Sequence, residues 1–273
     1  MQNILITGCS SGIGLQTALT LKDNNYKVYA SAKKIEDVEM LRNLGFETFK
    51  IDVRNKEDIS NALNTILQND KKLDAVFNNA GFGQPGAVED LKKAVLREQF
   101  ETNVFGTQEL TNLVIPYMRK QKSGRIIYNS SILGFVAMSY RGAYNASKFA
   151  IEGLADTLRL ELYKSGVEVV LIEPGPIRSD FRKNALAKFL EHIDQEHSAH
   201  SDVYAKTLAR LQKSGDAPFT LGSEAVLEVL IHAIEAKSPK ARYSVTFPTK
   251  LFAWLKRFLS TRLLDTIARK ASE

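Results

Sequence analysis

The chain has 273 residues, 44% of them hydrophobic and 25% charged, a balance that excludes a disordered tail or a membrane-embedded bundle and fits a globular domain. Its single cysteine, Cys9, excludes an intrachain disulfide framework and suits a reducing, cytoplasmic compartment. The net charge of +6 is concentrated in nine Lys/Arg facing one acid, Asp265, between Lys237 and Lys270, so the near-neutral body offers no basic face for nucleic acid. The first residues lack a basic stretch followed by an apolar one, and no apolar run reaches about 18 residues, so neither a secretory leader nor a membrane span is expected.

Asn3–Thr7 reads as a first buried strand, and the apolar period of Ile13–Leu21 predicts a helix after it. Between them, "TGCSSGIG" sets Gly8, Gly12 and Gly14 at the strand–helix junction. Glycines there allow a tight turn and close backbone approach to a pyrophosphate, and the helix start offers free N–H groups and a positive dipole end. The spacing differs from the commoner G-x-G-x-x-G, and an ordinary strand–helix turn is the competing reading. The next strand, Lys27–Ala32, ends in "AKK" with no acid until Glu36. An acid at that place holds the ribose 2′-OH of NAD, whereas Lys33 and Lys34, with Ser10 or Ser11, suit the 2′-phosphate of NADP(H). Solvated lysines at a helix start are the bland alternative. Phe46–Val53 is a third strand, after which Asp52 either accepts from an adenine amine or is a simple turn residue.

Amphipathic Lys56–Leu67 and the strand Asp74–Gly81 follow, then a long helical region over about 91–120 that contains Asn103. Asparagine is a mediocre helix former, so Asn103 either props the helix open around a water or is simply exposed. Arg125–Ser131, Val167–Gly175 and Ala241–Phe247 complete seven strand candidates, and their alternation with helices predicts a parallel sheet covered on both faces. The polar segment from Pro174 to about Thr220 lacks a strand signal and sits where a substrate lid belongs, at about 176–220. Its histidines, His192, His197 and His200, lack a ligand spacing and read as a solvated face, so no metal is expected.

Two Tyr-x-x-x-Lys pairs occur, Tyr29/Lys33 and Tyr144/Lys148. On a strand such residues lie roughly 13 Å apart, so the first pair cannot act together. Helical spacing over Ala143–Leu162 instead makes Tyr144 and Lys148 neighbours. A phenol titrates near pH 10, and the expectation is that Lys148 with an oxidised nicotinamide lowers Tyr144 by about three units, roughly 4 kcal/mol. Tyr144 would then be a general acid/base. Ser131 lies at a strand C-terminus without a partner histidine or a G-x-S-x-G elbow, so it reads as a hydrogen-bond donor to a developing alkoxide.

"TGCSSGIG", "NNAG" (Asn78–Gly81), Asn103, Ser131, "YNASK" and "PGPIRS" (Pro174–Ser179) together resemble the short-chain dehydrogenase/reductase family from Met1 to about Phe247. The resemblance implies a Rossmann-type doubly wound sheet, with Asn103, Ser131, Tyr144 and Lys148 as the catalytic set. It also implies that Asn79 supports the cofactor cleft, that Lys148 grips the nicotinamide ribose, and that Ile177 and Ser179 face the nicotinamide amide. Further cofactor contacts are expected from Ile13, Val53, Ala80, Gly81, Pro174 and Gly175. Ser179 stands where the family commonly has Thr, and Lys33 where NADP-linked members often have Arg. The bacterial NADP-dependent aldehyde reductases, near the hydroxysteroid and retinol dehydrogenase branch, are the most similar members. The implied activity is NADPH-dependent reduction of a hydrophobic carbonyl, an aldehyde before a ketone. Oxidation of a hydrophobic alcohol such as a steroid or retinoid, reduction of a lipid ketone, and a catalytically silent nucleotide sensor are the alternatives.

Largely apolar Ile132–Tyr140, with Phe82 and Phe181, is expected to border the pocket, although residues such as Val136 could equally pack into the core. Residues 248–273 form a basic amphipathic extension with an apolar stripe of Leu251, Phe252, Leu255, Phe258 and Leu259, expected either to rest on an anionic membrane surface or to cover the pocket or a subunit interface. A homodimer or homotetramer is the expected assembly.

Overall fold

A computed structural model, which describes residues 1–212 and 215–272, has seven parallel strands in the order β3-β2-β1-β4-β5-β6-β7. These are β1 (Asn3–Ile6), β2 (Lys27–Ala32), β3 (Glu47–Lys50), β4 (Ala75–Asn78), β5 (Gly124–Asn129), β6 (Val167–Glu173) and β7 (Arg242–Ser244). The helices between them are α1 (Gly12–Asp23), α2 (Ile35–Asn43), α3 (Lys56–Asp70), α4 (Lys93–Phe100), α5 (Thr107–Gln121) and α6 (Gly142–Glu161). After β6 come α7 (Phe181–His192), α8 (Ser201–Gln212) and α9 (Glu224–Glu235), and after β7 come α10 (Phe247–Phe258) and α11 (Thr261–Ser272).

The strands are apolar on both faces because both faces are covered. Leu5, Tyr29, Val76, Ile126 and Val169 pack with α3, α5 and α6, while their neighbours Ile4, Ile6, Ala30, Phe77, Ile127 and Val170 pack with α1, α2 and α9. Phe77 is fully buried, and truncating such a ring to alanine costs about 3–5 kcal/mol. β1 pairs with β2 on one side and β4 on the other, so the chain leaves the sheet centre in opposite directions and opens a crevice at the strands' C-terminal ends.

Two elements depart from the sequence reading. The region expected as one long helix is interrupted by a π-helical turn over Glu101–Gly106. The strand expected over 241–247 is only three residues, and Phe247 already belongs to α10, so the 247/248 boundary cuts into a helix. The expected lid contains α7 and α8, and its residues 213 and 214 lie outside the described residues. Phe189, Ile193 and Tyr204 of the lid bury Ala87 in the segment after β4, whose N–H donates to the Tyr204 hydroxyl at 2.9 Å. The tail helices close over the segment after β5: Phe252 and Ala268 pack on Ile132, Leu133 and Val136, and Lys256 Nζ donates to the Phe135 carbonyl at 2.7 Å. Val136 therefore belongs to the core. Among the described residues, no helix is long and apolar enough to cross a membrane.

Candidate active site

The glycine turn follows β1 directly. Gly8 and Gly12 have φ of 71° and 56°, a region open to glycine at little cost, and a Cβ on Gly14 would come 2.2 Å from the Gly8 carbonyl. A Cβ on Gly12 would meet Ser179 at 2.9 Å, so this turn lies against the Pro174–Ser179 segment. Ser10 is exposed, and Ser11 is the residue before α1. Asn79 ties the turn to the next strands: its Nδ2 donates to the Thr7 and Gly8 carbonyls at 2.9 and 3.1 Å, and its Oδ1 accepts from Asn129 Nδ2 at 2.8 Å. A backbone cradle of this shape, beside the start of α1, fits a dinucleotide pyrophosphate. Ile13 packs in the α1 face of the core, Ala80 approaches Gly8, and Val53 is buried with its carbonyl against Gly106.

At the end of β2, Lys33 is 60% exposed and its Nζ lies 3.5 Å from Asp52, while Lys34 precedes α2. Arg54, which the sequence reading passed over, grips Asp52 with Nε at 2.9 Å from Oδ1 and a terminal nitrogen 2.5 Å from Oδ2. That fork, helped by Lys33, holds the Asp52 carboxyl down to about 2. Asp52 is thus a fixed counter-ion, with Lys33 and Arg54 around it. Arg54 was legible only as a nearby charge, because its approach depends on the turn after β3.

Tyr144 and Lys148 sit on the first turns of α6, with the Lys148 ammonium 5.6 Å from the phenol ring centre. Lys148 is buried, and its Nζ donates to the Asn129 carbonyl at 2.6 Å. Ser131 stands two residues past β5 rather than on its end, opening a short 3-10 turn in which its Oγ accepts from the Leu133 N–H at 3.1 Å. Its hydroxyl is hydrogen-bonded to Tyr144. Burial pushes the phenol up to about 12 against that hydrogen bond, and pushes Lys148 down to about 8 against the pull of Glu152 one turn on. The protein alone therefore moves Tyr144 in the opposite direction to the expected lowering, and leaves it a phenol at neutral pH.

Asn103 is buried inside the π-helical turn, which removes the exposed reading. Its Nδ2 donates to the Phe82 carbonyl at 2.9 Å and to Ser147 Oγ at 3.2 Å, and its Oδ1 accepts from the Phe82 N–H at 3.1 Å. It stands behind the Ser131–Tyr144–Lys148 group and fixes the strand-end segment that carries Gly81 and Phe82. Gln99 fixes the same segment, with Nε2 2.7 Å from the Phe82 carbonyl. Ser147, also unassigned by the sequence, joins Asn103 to the helix by donating to the Tyr144 carbonyl at 2.8 Å.

Phe181 roofs the group, its ring 5.2 Å from that of Tyr144. Gly175 rests on Thr246 and Thr249, whose hydroxyls lie 2.9 Å apart, and the Pro174 carbonyl accepts from the Ile132 N–H at 2.8 Å. Ile177 pairs with Leu221 across a single bridge. The lid histidines are not all solvated: His192 lies 2.7 Å from Gln84 Oε1 and His200 2.5 Å from Glu89, so both join the lid to the segment after β4. Only His197 is an exposed residue, beside Asp194.

A parallel doubly wound sheet, a glycine-turn cradle and a Ser–Tyr–Lys group at the strand ends define a dinucleotide-linked oxidoreductase by their chemistry. Residues 2–189 match the short chain dehydrogenase family, and the chain belongs to it. It is 40% identical over 267 residues to the uncharacterized oxidoreductase YbbO of Escherichia coli K12, covering 97% of this chain and 93% of that one. It is 32% identical over 273 residues to the 3-ketodihydrosphingosine reductase of Bacteroides thetaiotaomicron, covering 98% and 97%. The solved short-chain dehydrogenase of Streptomyces avermitilis is 25% identical, with a TM-score of 0.76 over 94% of this chain and 95% of that one.

Proposed function

We propose that this oxidoreductase reduces hydrophobic carbonyl compounds, aldehydes before ketones, with NADPH. The observation that carries the reading is a half-buried Tyr144 phenol, hydrogen-bonded to Ser131, that loss of hydration keeps protonated beside the Lys148 ammonium. When bound, the nicotinamide supplies a hydride to the carbonyl carbon. Ser131 donates a hydrogen bond to the carbonyl oxygen, and Tyr144 gives that oxygen its proton as charge develops there. An alkoxide is a far stronger base than a phenolate, so a phenol held near 12 still transfers its proton downhill. The phenolate that remains is stabilised by Lys148, which is largely protonated at neutral pH. Oxidation would need the opposite starting state, a phenolate, which the burial of Tyr144 disfavours.

Lys33 and Lys34, with Asp52 already neutralised by Arg54, favour a cofactor carrying a 2′-phosphate. The aromatic roof of Phe181 and the half-buried Phe82 favour an apolar substrate, and the crowding over Tyr144 favours a carbonyl carbon with hydrogen on one side. The similarity to a 3-ketodihydrosphingosine reductase supports carbonyl reduction as the reaction. The test is a panel of aldehydes and ketones of graded chain length run with NADPH and NADH in parallel. We expect kcat/KM to rise with chain length and to favour NADPH by about tenfold or more. Equal or better rates with NADH, or reduction of none of the panel, overturns the reading.

A further inference from the structure

The apolar stripe expected along α10 is divided by the fold. Phe252 and Thr249 face the protein and are buried, whereas Phe247, Leu251, Trp254 and Phe258 are 58%, 39%, 59% and 64% exposed. The exposed four recur at steps of four, three and four, so they share one face of the helix over roughly 16 Å. Trp254 and Phe258 stand ring to ring at 5.1 Å, and at the other end Phe247 pairs at 5.4 Å with Phe219, itself 62% exposed. Phe219 has a φ of 62°, a conformation that costs a bulky side chain energy, so the backbone is held where it adds this ring to the patch. Leu263 of α11 is exposed as well.

On α10 itself every charged residue is basic: Lys250, Lys256 and Arg257. Lys250 and Arg257 are exposed, each one residue before a member of the stripe and seven apart, which places them on the same flank. Arg262, Arg269 and Lys270 are exposed on α11, where the sole acid among the described residues is Asp265. A monomer seldom leaves so large a contiguous apolar strip in water. A partner subunit would cover the strip equally well but would not call for charges of one sign along α10. An aromatic strip with cations along its edge matches the interfacial layer of an anionic bilayer, where rings enter the headgroup boundary and lysines or arginines meet the phosphates.

We propose that α10, extended by Phe219 and flanked by Lys250 and Arg257, docks the protein onto anionic lipid surfaces. The contact is peripheral, reversible and weakened by salt. Its helix continues into the segment that supports Gly175, so the docked face adjoins the substrate side of the molecule.

Trp254 is the only tryptophan in the chain, so its emission reports on this surface without a label. Full-length protein is mixed with vesicles of phosphatidylcholine alone or with about one third phosphatidylglycerol, and both co-sedimentation and Trp254 emission are followed. We expect binding and a blue shift with the anionic vesicles, release at about 0.5 M salt, and little of either with the neutral ones. Truncating the tail would uncover Ile132 and Val136, so point variants serve better. Leu251→Glu/Phe258→Glu should lower the bound fraction at least about tenfold, and Lys250→Glu/Arg257→Glu by a similar factor on anionic vesicles alone. Circular dichroism and turnover of a soluble substrate should stay unchanged in both. Absence of binding by the parent, binding indifferent to lipid charge, or variants that bind like the parent overturn the proposal. So does an oligomer, seen by light scattering, that the Leu251→Glu/Phe258→Glu variant dissociates, because the strip is then a subunit interface.

Discussion

The same four-residue spacing of tyrosine and lysine occurs on β2 and on α6, with opposite outcomes. On β2 the Tyr29 hydroxyl donates to Asp70 on the sheet's α3 side, while Lys33 lies beyond the strand end beside Asp52. On α6 one turn of helix brings Lys148 to 5.6 Å from the Tyr144 ring and aims both at the strand ends where Ser131 emerges. Spacing is therefore chemically silent until the element is known. What distinguishes the pairs electrically is the neighbour: Asp70 gives Tyr29 an anionic acceptor and pairs with Lys27 at 2.8 Å, whereas the Tyr144 phenol has the neutral Ser131 hydroxyl as its hydrogen-bond partner.

The sharpest way to break the comparison is to remove the Tyr144 hydroxyl. Tyr144→Phe keeps the ring against Phe181 but deletes the proton donor, so kcat should fall roughly 10³-fold or more. Cofactor affinity, followed by fluorescence titration, should change little. Near-normal turnover would show that the α6 pair is as inert as the β2 pair.

Lys33 tests the other half of the contrast, a lysine separated from its tyrosine and placed at the cofactor's far end. Lys33→Glu should lower kcat/KM with NADPH about tenfold, the order of one exposed ion pair to a phosphate of nearly two charges. With NADH the change should be small or favourable. A uniform loss with both cofactors would detach Lys33 from 2′-phosphate selection.

The doubly wound sheet was legible because short apolar strands alternating with amphipathic helices leave few other arrangements, and β2 falls where its flanking turn residues set it. The pairing of Tyr144 with Lys148 in space was legible through helical spacing. Three things were not. The π-helical turn over Glu101–Gly106 leaves the apolar period of the region almost undisturbed, so Asn103, a mediocre helix former, was its one local mark and left the exposed reading open. Arg54 reaches Asp52 by a turn conformation rather than by pattern. The side of α10 that is buried is chosen by Ile132, Leu133 and Val136, far away in sequence, and no reading of the tail alone could separate Phe252 from Phe258.

The pH response sharpens the electrostatic contrast. Lys148 is pushed down to about 8, so turnover should decline as pH rises through about 8 and the ammonium beside Tyr144 is lost. Stability should move the other way. Between about 8 and the ordinary lysine range the unfolded chain binds the proton that the folded chain has released, so unfolding becomes harder as pH rises there. Glu152 opposes the lowering of Lys148, and so Glu152→Gln should shift the alkaline limb of the rate profile to lower pH while retaining a hydrogen-bonding group for Ser130. A limb that stays in place would mean that Glu152 acts only through its contacts with Arg242, 3.1 Å away.

The smallest effect belongs to Tyr29. Tyr29→Phe removes a hydroxyl that donates to Asp70 but leaves the ring in the core and leaves Asp70 its ion pair with Lys27. Because the acceptor stays satisfied, the loss should be that of one hydrogen bond, about 1 kcal/mol in denaturant unfolding. The rate should be unchanged, since Tyr29 lies in the β1–β2 half of the sheet and touches none of Ser131, Tyr144 or Lys148. A conservative change of the same kind then costs stability without rate on the strand, and rate without comparable stability on the helix. A rate loss in Tyr29→Phe beyond about twofold would instead mean that β2 transmits strain into the cofactor cradle through its pairing with β1 at Leu5.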